Sequence, residues 1–296
     1  MKRTLPLMLA TLSLLMMSGC SHSQNAIPVA YGPYLGQMLP GSTAEIFASG
    51  IVNTKENREV GGMFAADMNE FYFTRRPLGE KSSSNELVVL EFKNNQWRES
   101  IAKQGVNSAS ISPDGKTFYL GTQYMERTNA GLSEPKSLGA PFKDIDIMGL
   151  SGSSNGTLYF DTFTEKLDAP LRASRLIDGK YEQPKSLGPQ FAIGKYNAHP
   201  FIAPDESYIL WDSRRESGYG TSDLYISFRA EDGTWGPAIN MGDKINTTAA
   251  ENNPSVSPDG KFIFFDRRNG ERIYGQKKVD IYWVDAQIIE ALRPKP

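Results

Sequence analysis

His22 and His199 are the only imidazoles in this chain of 296 residues, and Cys20 is the only thiol. A zinc or manganese centre of imidazole and thiolate needs several such ligands. The expectation is therefore no metal and no cofactor. For serine chemistry, "SGSSNG" (151–156) stands in register with other turns of the chain and reads as a turn, not a nucleophile elbow, and no hydrolase domain follows it. The remaining polar set recurs shortly before each of five turns: Glu59; Asn107 and Ser108; Asp144 and Asp146; Asn197 and His199; Glu251, Asn252 and Asn253. Carboxylates and amides around a wet opening can hold a cation, an amine or a sugar. They can equally bond only to water. A close pair of carboxylates could cleave a glycosidic bond, but spacing along a chain does not give their separation.

A second constellation consists of arginine pairs. Arg75-Arg76, Arg214-Arg215 and Arg267-Arg268 each follow an aromatic run, and Glu86, Asp223 and Asp280 open the next run. One reading is a basic face for an anionic glycan or a peptide carboxylate, gripped by guanidinium forks. The other is a clamp within each repeat, and the recurrence of acid with arginine favours it. Exposed clamps of this kind contribute only about 0–1 kcal/mol each.

These residues sit on a repeat. Asp67, Asp114, Asn155, Asp205 and Asp259 recur at intervals of 41–54 residues. In "SPDGK" proline presets φ, Asp bonds the backbone ahead of it and Gly takes the positive-φ position, so the chain reverses. An aromatic run follows, as in Phe118-Tyr119, Leu158-Tyr159-Phe160, Tyr208-Ile209-Leu210-Trp211 and Phe262-Ile263-Phe264-Phe265. Such runs are apolar on both faces of the pleat, as strands packed between two sheets must be. A third strand ("ELVVLEF", "PLRASRL", "DLYISF", "DIYWV") and a Pro-tolerant outer strand ("LSEPKSLG", "YEQPKSLG", "TWGPAINMG") complete the unit. Four strands repeated at this period predict an all-β protein, a β-propeller of four-stranded blades, with five blades counted and six possible. The last unit lacks an outer strand after "DIYWVDA", and "TAEIFASGIVN" (43–53) is an outer strand without a blade. The N-terminal strand is therefore expected to complete the final blade and close the ring, hiding the open sheet edges.

The "SPDGK" turn followed by an aromatic strand resembles the TolB-type β-propeller repeat family over roughly residues 41–290. That family's TolB has six blades and a second domain; here there are five turns and no second domain. The resemblance implies the fold and is nearly silent on function, since propellers bind, scaffold and catalyse alike.

Before the repeat lies a targeting segment. Lys2 and Arg3 precede an apolar run, Leu5 to Met17, too short to span a bilayer comfortably. Met17-Ser18-Gly19-Cys20 resembles the lipobox of bacterial lipoproteins, with Met where Leu is usual. The resemblance implies cleavage before Cys20, acylation of its thiol and of the new N-terminus, and a membrane anchor of several chains, palmitate among them, each buried CH₂ contributing about 0.8 kcal/mol. Ser21 rather than Asp after the cysteine implies the outer membrane, facing the periplasm. The chain thus divides into a signal peptide (1–19), a lipid-anchored tether (20–40), the propeller (41–290) and a tail (291–296).

With 32 Lys+Arg against 34 Asp+Glu, no basic footprint for nucleic acid exists. The expected function is a lipid-anchored envelope module that binds or scaffolds a protein, peptide or glycan without chemistry. The alternative is an oligosaccharide hydrolase or lyase using channel-mouth carboxylates such as Asp146 and Glu251, with His199 assisting. The expected ligand-facing residues are Glu59, Asn107, Asp144, Asp146, Asn197, His199, Glu251 and Asn253.

Overall fold

The computed structural model describes residues 29–79, 84–164, 166–273 and 276–295. The signal segment and Cys20 lie outside the described residues. Two short strands come first, β1 (Ala30–Tyr31) and β2 (Glu45–Ile46). The first blade is β3 (Asn57–Phe64), β4 (Glu70–Pro77), β5 (Glu86–Lys93) and β6 (Gln96–Gln104), with β1 added outside β6. The second is β7 (Ser110–Ile111), β8 (Thr117–Leu120) and β9 (Gln123–Thr128), edged by β10 (Gly131–Leu132) and β11 (Lys136–Ser137). The third is β12 (Leu150–Gly152), β13 (Leu158–Phe160) and β14 (Arg172–Ser174), a small ribbon of β15 (Leu176–Ile177) with β16 (Lys180–Tyr181), then β17 (Lys185–Ser186) beside β14. The fourth is β18 (Lys195–Ile202), β19 (Tyr208–Arg214), β20 (Asp223–Phe228) and β21 (Ile239–Asn240). The fifth is β22 (Ala250–Val256), β23 (Phe262–Ile273) and β24 (Gln276–Asp285), followed by α1 (Gln287–Leu292).

The fifth blade takes its outer strand from the other end of the chain. β2 pairs antiparallel with β24, Glu45 opposite Trp283 and Ile46 opposite Tyr282. This is the ring closure expected from residues 43–53, although only two of those residues are strand. The rest fold into a turn that Asn53 fastens: its side-chain amide donates to the Ile281 carbonyl at 2.9 Å, and the Ile281 N–H donates to its Oδ1 at 2.7 Å. Asn246 does the same for Leu224 in the fourth blade, at 3.0 and 2.8 Å. The seam therefore copies the internal joint of an ordinary blade.

The second strands explain why the ring holds. Their side chains alternate between two neighbouring blades. Phe71 and Phe73 pack toward the fifth blade, Tyr72 toward the second. Ile209 and Trp211 face the third blade, Leu210 the fifth. Phe262 and Phe264 face the first blade, Ile263 and Phe265 the fourth. The buried apolar residues fall into five clusters, one at each junction between consecutive blades, including the junction of fifth with first. An open row of five blades would have only four. Each fully buried aromatic contributes on the order of 2–3 kcal/mol from area alone, so the closing junction, with Phe47, Phe71, Phe264 and Trp283 in mutual contact, is a major part of the core.

The predicted turns form as the chemistry requires. Ser112 Oγ and the Lys116 N–H both donate to Asp114 Oδ1, and Gly115 has φ +73°. Asp259 and Gly260 repeat this in the fifth blade, and Asn155 stands in for Asp in the third. One feature of the N-terminal lead-in was not readable from its polar composition. Trp97 Nε1 donates to the Gly32 carbonyl and Leu35 is buried, so the last part of the 20–40 segment lies against the first blade.

Candidate functional site

The five inner strands β3, β7, β12, β18 and β22 surround a channel. One end, near the "SPDGK"-type turns, is a cavity of ≈ 320 Å³ with largely apolar walls that include Phe64, Tyr119, Leu150 and Tyr208. The other end, where the inner strands begin, is wider, ≈ 870 Å³. Ser108, Gly121, Met148, His199 and Asn253 border both, so they form the waist.

The waist is built by bulges. Pairing of inner with second strand slips between Val60 and Met63, between Ala198 and Phe201, and between Asn252 and Ser255. The first residue of each bulge has positive φ: Gly61 at +70°, His199 at +48° and Asn253 at +57°. For His and Asn this conformation costs on the order of 1 kcal/mol or more and needs compensation. A carboxylate of the preceding blade supplies it. The His199 N–H donates to Asp161 Oδ2 (3.0 Å), the Asn253 N–H to Asp212 Oδ1 (3.0 Å) and the Gly61 N–H to Asp266 Oδ1 (2.9 Å). Each Asp also bonds within its own blade. Asp161 accepts the Met148 and Gly149 N–H groups, Asp212 lies 2.8 Å from His199 Nδ1, and Asp266 accepts from Asn253 Nδ2. Asp212 Oδ2 accepts Asn252 Nδ2 as well. Three second-strand aspartates thus tie the third blade to the fourth, the fourth to the fifth and the fifth to the first. The matching positions of the first two blades hold Thr74 and Gly121, and no such bond forms there.

This network shifts proton affinities. Burial opposes charge on His199, but the Asp212 carboxylate outweighs it, with Asp161 and Asp266 adding to it, and the imidazole is pushed up to about 9. Burial pushes Asp266 up to about 7 against the backbone N–H of Gly61 and the amide of Asn253. Burial also raises Asp161.

The eight residues expected to face the ligand divide by placement. His199, Asn253 and Asn107 border the wide mouth, together with Asn252 and Ser108. Glu59 and Glu251 are fully buried away from both cavities. Glu59 meets Lys278 at 2.9 Å and Glu251 meets Arg267 at 2.7 Å, and Thr54 and Thr247 donate to them in the same way. Burial raises both carboxyls despite these partners. Asn197 is buried at the equivalent register position, with neither amide atom bonded. Asp144 and Asp146 are exposed and border neither cavity. The missed residues are Asp161, Asp212 and Asp266. Their signal was present: each follows the aromatic run directly, in "LYFD", "ILWD" and "IFFD".

The arginines also divide. The expected clamp exists in the first blade, where Arg75 forks onto Glu99 at 2.9 and 2.8 Å with Glu86 at 3.7 Å. Elsewhere the acids have other partners. Asp223 accepts the Tyr219 and Gly220 N–H groups, and Asp280 pairs with Lys278. Arg215 lies over the Tyr225 ring at 4.2 Å. In the fourth blade the register is the reason: Ser213, not Arg214, occupies the place of Arg75 and Arg267 and stands opposite Asp223. Arg76, Arg214 and Arg268 then share one position, and all three border the wide mouth with Arg58, Lys103 and Lys277. Arg58 and Arg76 stand directly opposite across β3 and β4. Burial, then the charges of Arg76 and Arg268, pushes the Arg58 guanidinium below its ordinary value.

Among the described residues, no cluster of three or more His, Cys, Asp or Glu side chains could hold a metal ion. No helix among them is long and apolar enough to cross a membrane.

No known protein-family profile matches the chain, and no curated protein is similar to it in sequence. Its fold is similar to that of several solved proteins. One is described as a TolB from Agrobacterium tumefaciens, 14% identical, covering 84% of this chain and 86% of that one at TM-score 0.48. Another is an α-L-arabinofuranosidase from Podospora anserina, solved with cellotriose, 10% identical over 87% and 97% at TM-score 0.49. A third is a gluconolactonase from Xanthomonas campestris, 11% identical over 87% and 99% at TM-score 0.43. What this chain does has to be read from its own channel, a five-bladed ring whose waist is fastened by aspartates and whose wide mouth carries the cations.

Proposed function

We propose that the chain is a non-catalytic recognition module that takes its ligand at the wide mouth of the channel. One observation carries this reading. The aspartates at the waist are occupied in holding backbone N–H groups of neighbouring blades, which supports a structural role for them. The alternative of glycosidic cleavage would need Asp146, Glu251 and His199 around one bound sugar. The burial of Glu251 in its pair with Arg267, off both cavities, favours binding over cleavage. The ligand would come from the cell envelope, with the chain anchored through lipid on Cys20. Mass analysis of the mature N-terminal peptide tests that anchor: an acylated Cys20 is expected, and an unmodified thiol contradicts it.

The functional test is incubation with a panel of acidic and neutral envelope oligosaccharides and peptides, followed by calorimetry and by mass spectrometry of the recovered ligand. Binding with the ligand intact is expected. A shortened ligand, with turnover lost in Glu251→Gln, would establish the enzyme instead.

A further inference from the structure

The cations of the wide mouth are concentrated on the first and fifth blades, with Arg214 of the fourth blade beside them. Arg58 and Arg76 oppose each other across β3 and β4, an arrangement of like charges that is unfavourable without a counter-charge. Arg268 approaches them from β23, at the position equivalent to Arg76. Among the described residues, none of the three has a carboxylate within ion-pair distance. The neighbouring cations Arg75, Lys103, Arg267 and Lys278 do form ion pairs. Asp266 is the acid whose charge acts on Arg58 and Arg76, and both of its oxygens are engaged, by Gly61 and Asn253. Arg58 Nε and Arg76 Nε are buried with no hydrogen-bond partner, and Arg76 otherwise donates to the Asn107 carbonyl. Unpaired buried donors are costly unless something else meets them. The same cavity also offers apolar surface, with Met148 and Tyr196 each about two-fifths exposed.

We propose that this mouth is an oxyanion site: Arg58, Arg76 and Arg268 grip a carboxylate or phosphate group whose ring or alkyl body lies against Met148 and Tyr196. Guanidinium forks match both anions and supply paired donors to them. The apolar side chains give the body of the ligand a surface to cover, as small-molecule sites commonly do. The proposal rests on the reading of the wide mouth as a recognition site and adds the charge of what is recognised. Burial first, and then the charges of Arg76 and Arg268, depress Arg58, and a bound anion offsets both.

The test uses the full chain with three probes: inorganic phosphate, glucuronate and uncharged glucose. Calorimetry should show binding of at least one anion and none of glucose, weakening with added salt. Binding of glucuronate alone identifies a carboxylate ligand, and binding of phosphate alone a phosphorylated one. Arg268→Gln, a change at an exposed side chain, should weaken binding by about tenfold or more, the scale of one lost charged hydrogen bond. As a check that needs no variant, the bound anion should protect Arg58 and Arg268 of the unmodified protein from phenylglyoxal. Binding of glucose equal to that of glucuronate would overturn the oxyanion site and leave the recognition reading standing. Failure of both anions to bind or protect would overturn it as well. The recognition reading itself fails only if the wider envelope panel is not bound, or is cleaved.

Discussion

Asp161, Asp212 and Asp266 show how one residue type at one register position can build a channel. Each accepts the N–H of a positive-φ bulge residue in the next blade, offsetting strain at His199 and Asn253 but not at Gly61, and the side chains of His199 and Asn253 answer the carboxylates. The pH dependence of stability follows. His199 is raised from 6.5 to about 9 in the folded chain, chiefly by Asp212 working against burial. A raised value means the folded state holds the proton more tightly. The stabilisation is therefore complete below about pH 6.5 and is lost as pH rises through about 9. Asp266, raised by burial from 3.8 to about 7, adds a decline of the same sign at lower pH. Urea midpoints should fall between pH 6.5 and 9 in the natural chain and flatten in that window in His199→Gln. An unchanged slope in the variant would assign the titration to other groups. At this scale the sequence was only partly legible. His199 and Asn253 could be placed at the mouth because the turns fixed their register. The burial of Glu59 and Glu251 could not be foreseen, because Arg267 meets Glu251 only through the pairing of β22 with β23, and Lys278 meets Glu59 only across the junction of the fifth and first blades.

Elements with local chemistry were the most legible. The five turns form because Asp or Asn, followed by a residue at positive φ, needs nothing from the rest of the chain; Met68 and Glu206 take that position where glycine is absent. The bulges were illegible for the opposite reason: they exist only in the pairing between strands. The closing strand lies between these cases. An outer strand without a blade at 43–53 and a last unit without an outer strand foretold the partner, and the details follow from Asn53 and Asn246. Asn53→Ala leaves the buried Ile281 N–H without its partner, while the Ile281 carbonyl keeps the Phe47 N–H, at a cost of about 1–3 kcal/mol. Asn246→Ala should cost a similar amount through Leu224. Thermal unfolding of both variants checks this. A seam variant as stable as the natural chain would mean that Asn53 does not fasten the ring.

At the scale of the whole molecule, five junctions among five blades make the channel a closed tube, and function depends on what its two ends present. The narrow end is mostly apolar. The wide end gathers cations that the sequence dispersed over three blades, three of them within arginine pairs, one pair displaced by a single residue at Ser213. Hydrogen exchange of the mature protein, with and without an acidic envelope oligosaccharide whose mass is followed in the same experiment, tests the account most directly. The account predicts protection confined to the segments carrying Arg58, Arg76, His199 and Arg268, with the oligosaccharide recovered whole. Protection at the narrow end or on the outer strands instead, or a cleaved oligosaccharide, would contradict it.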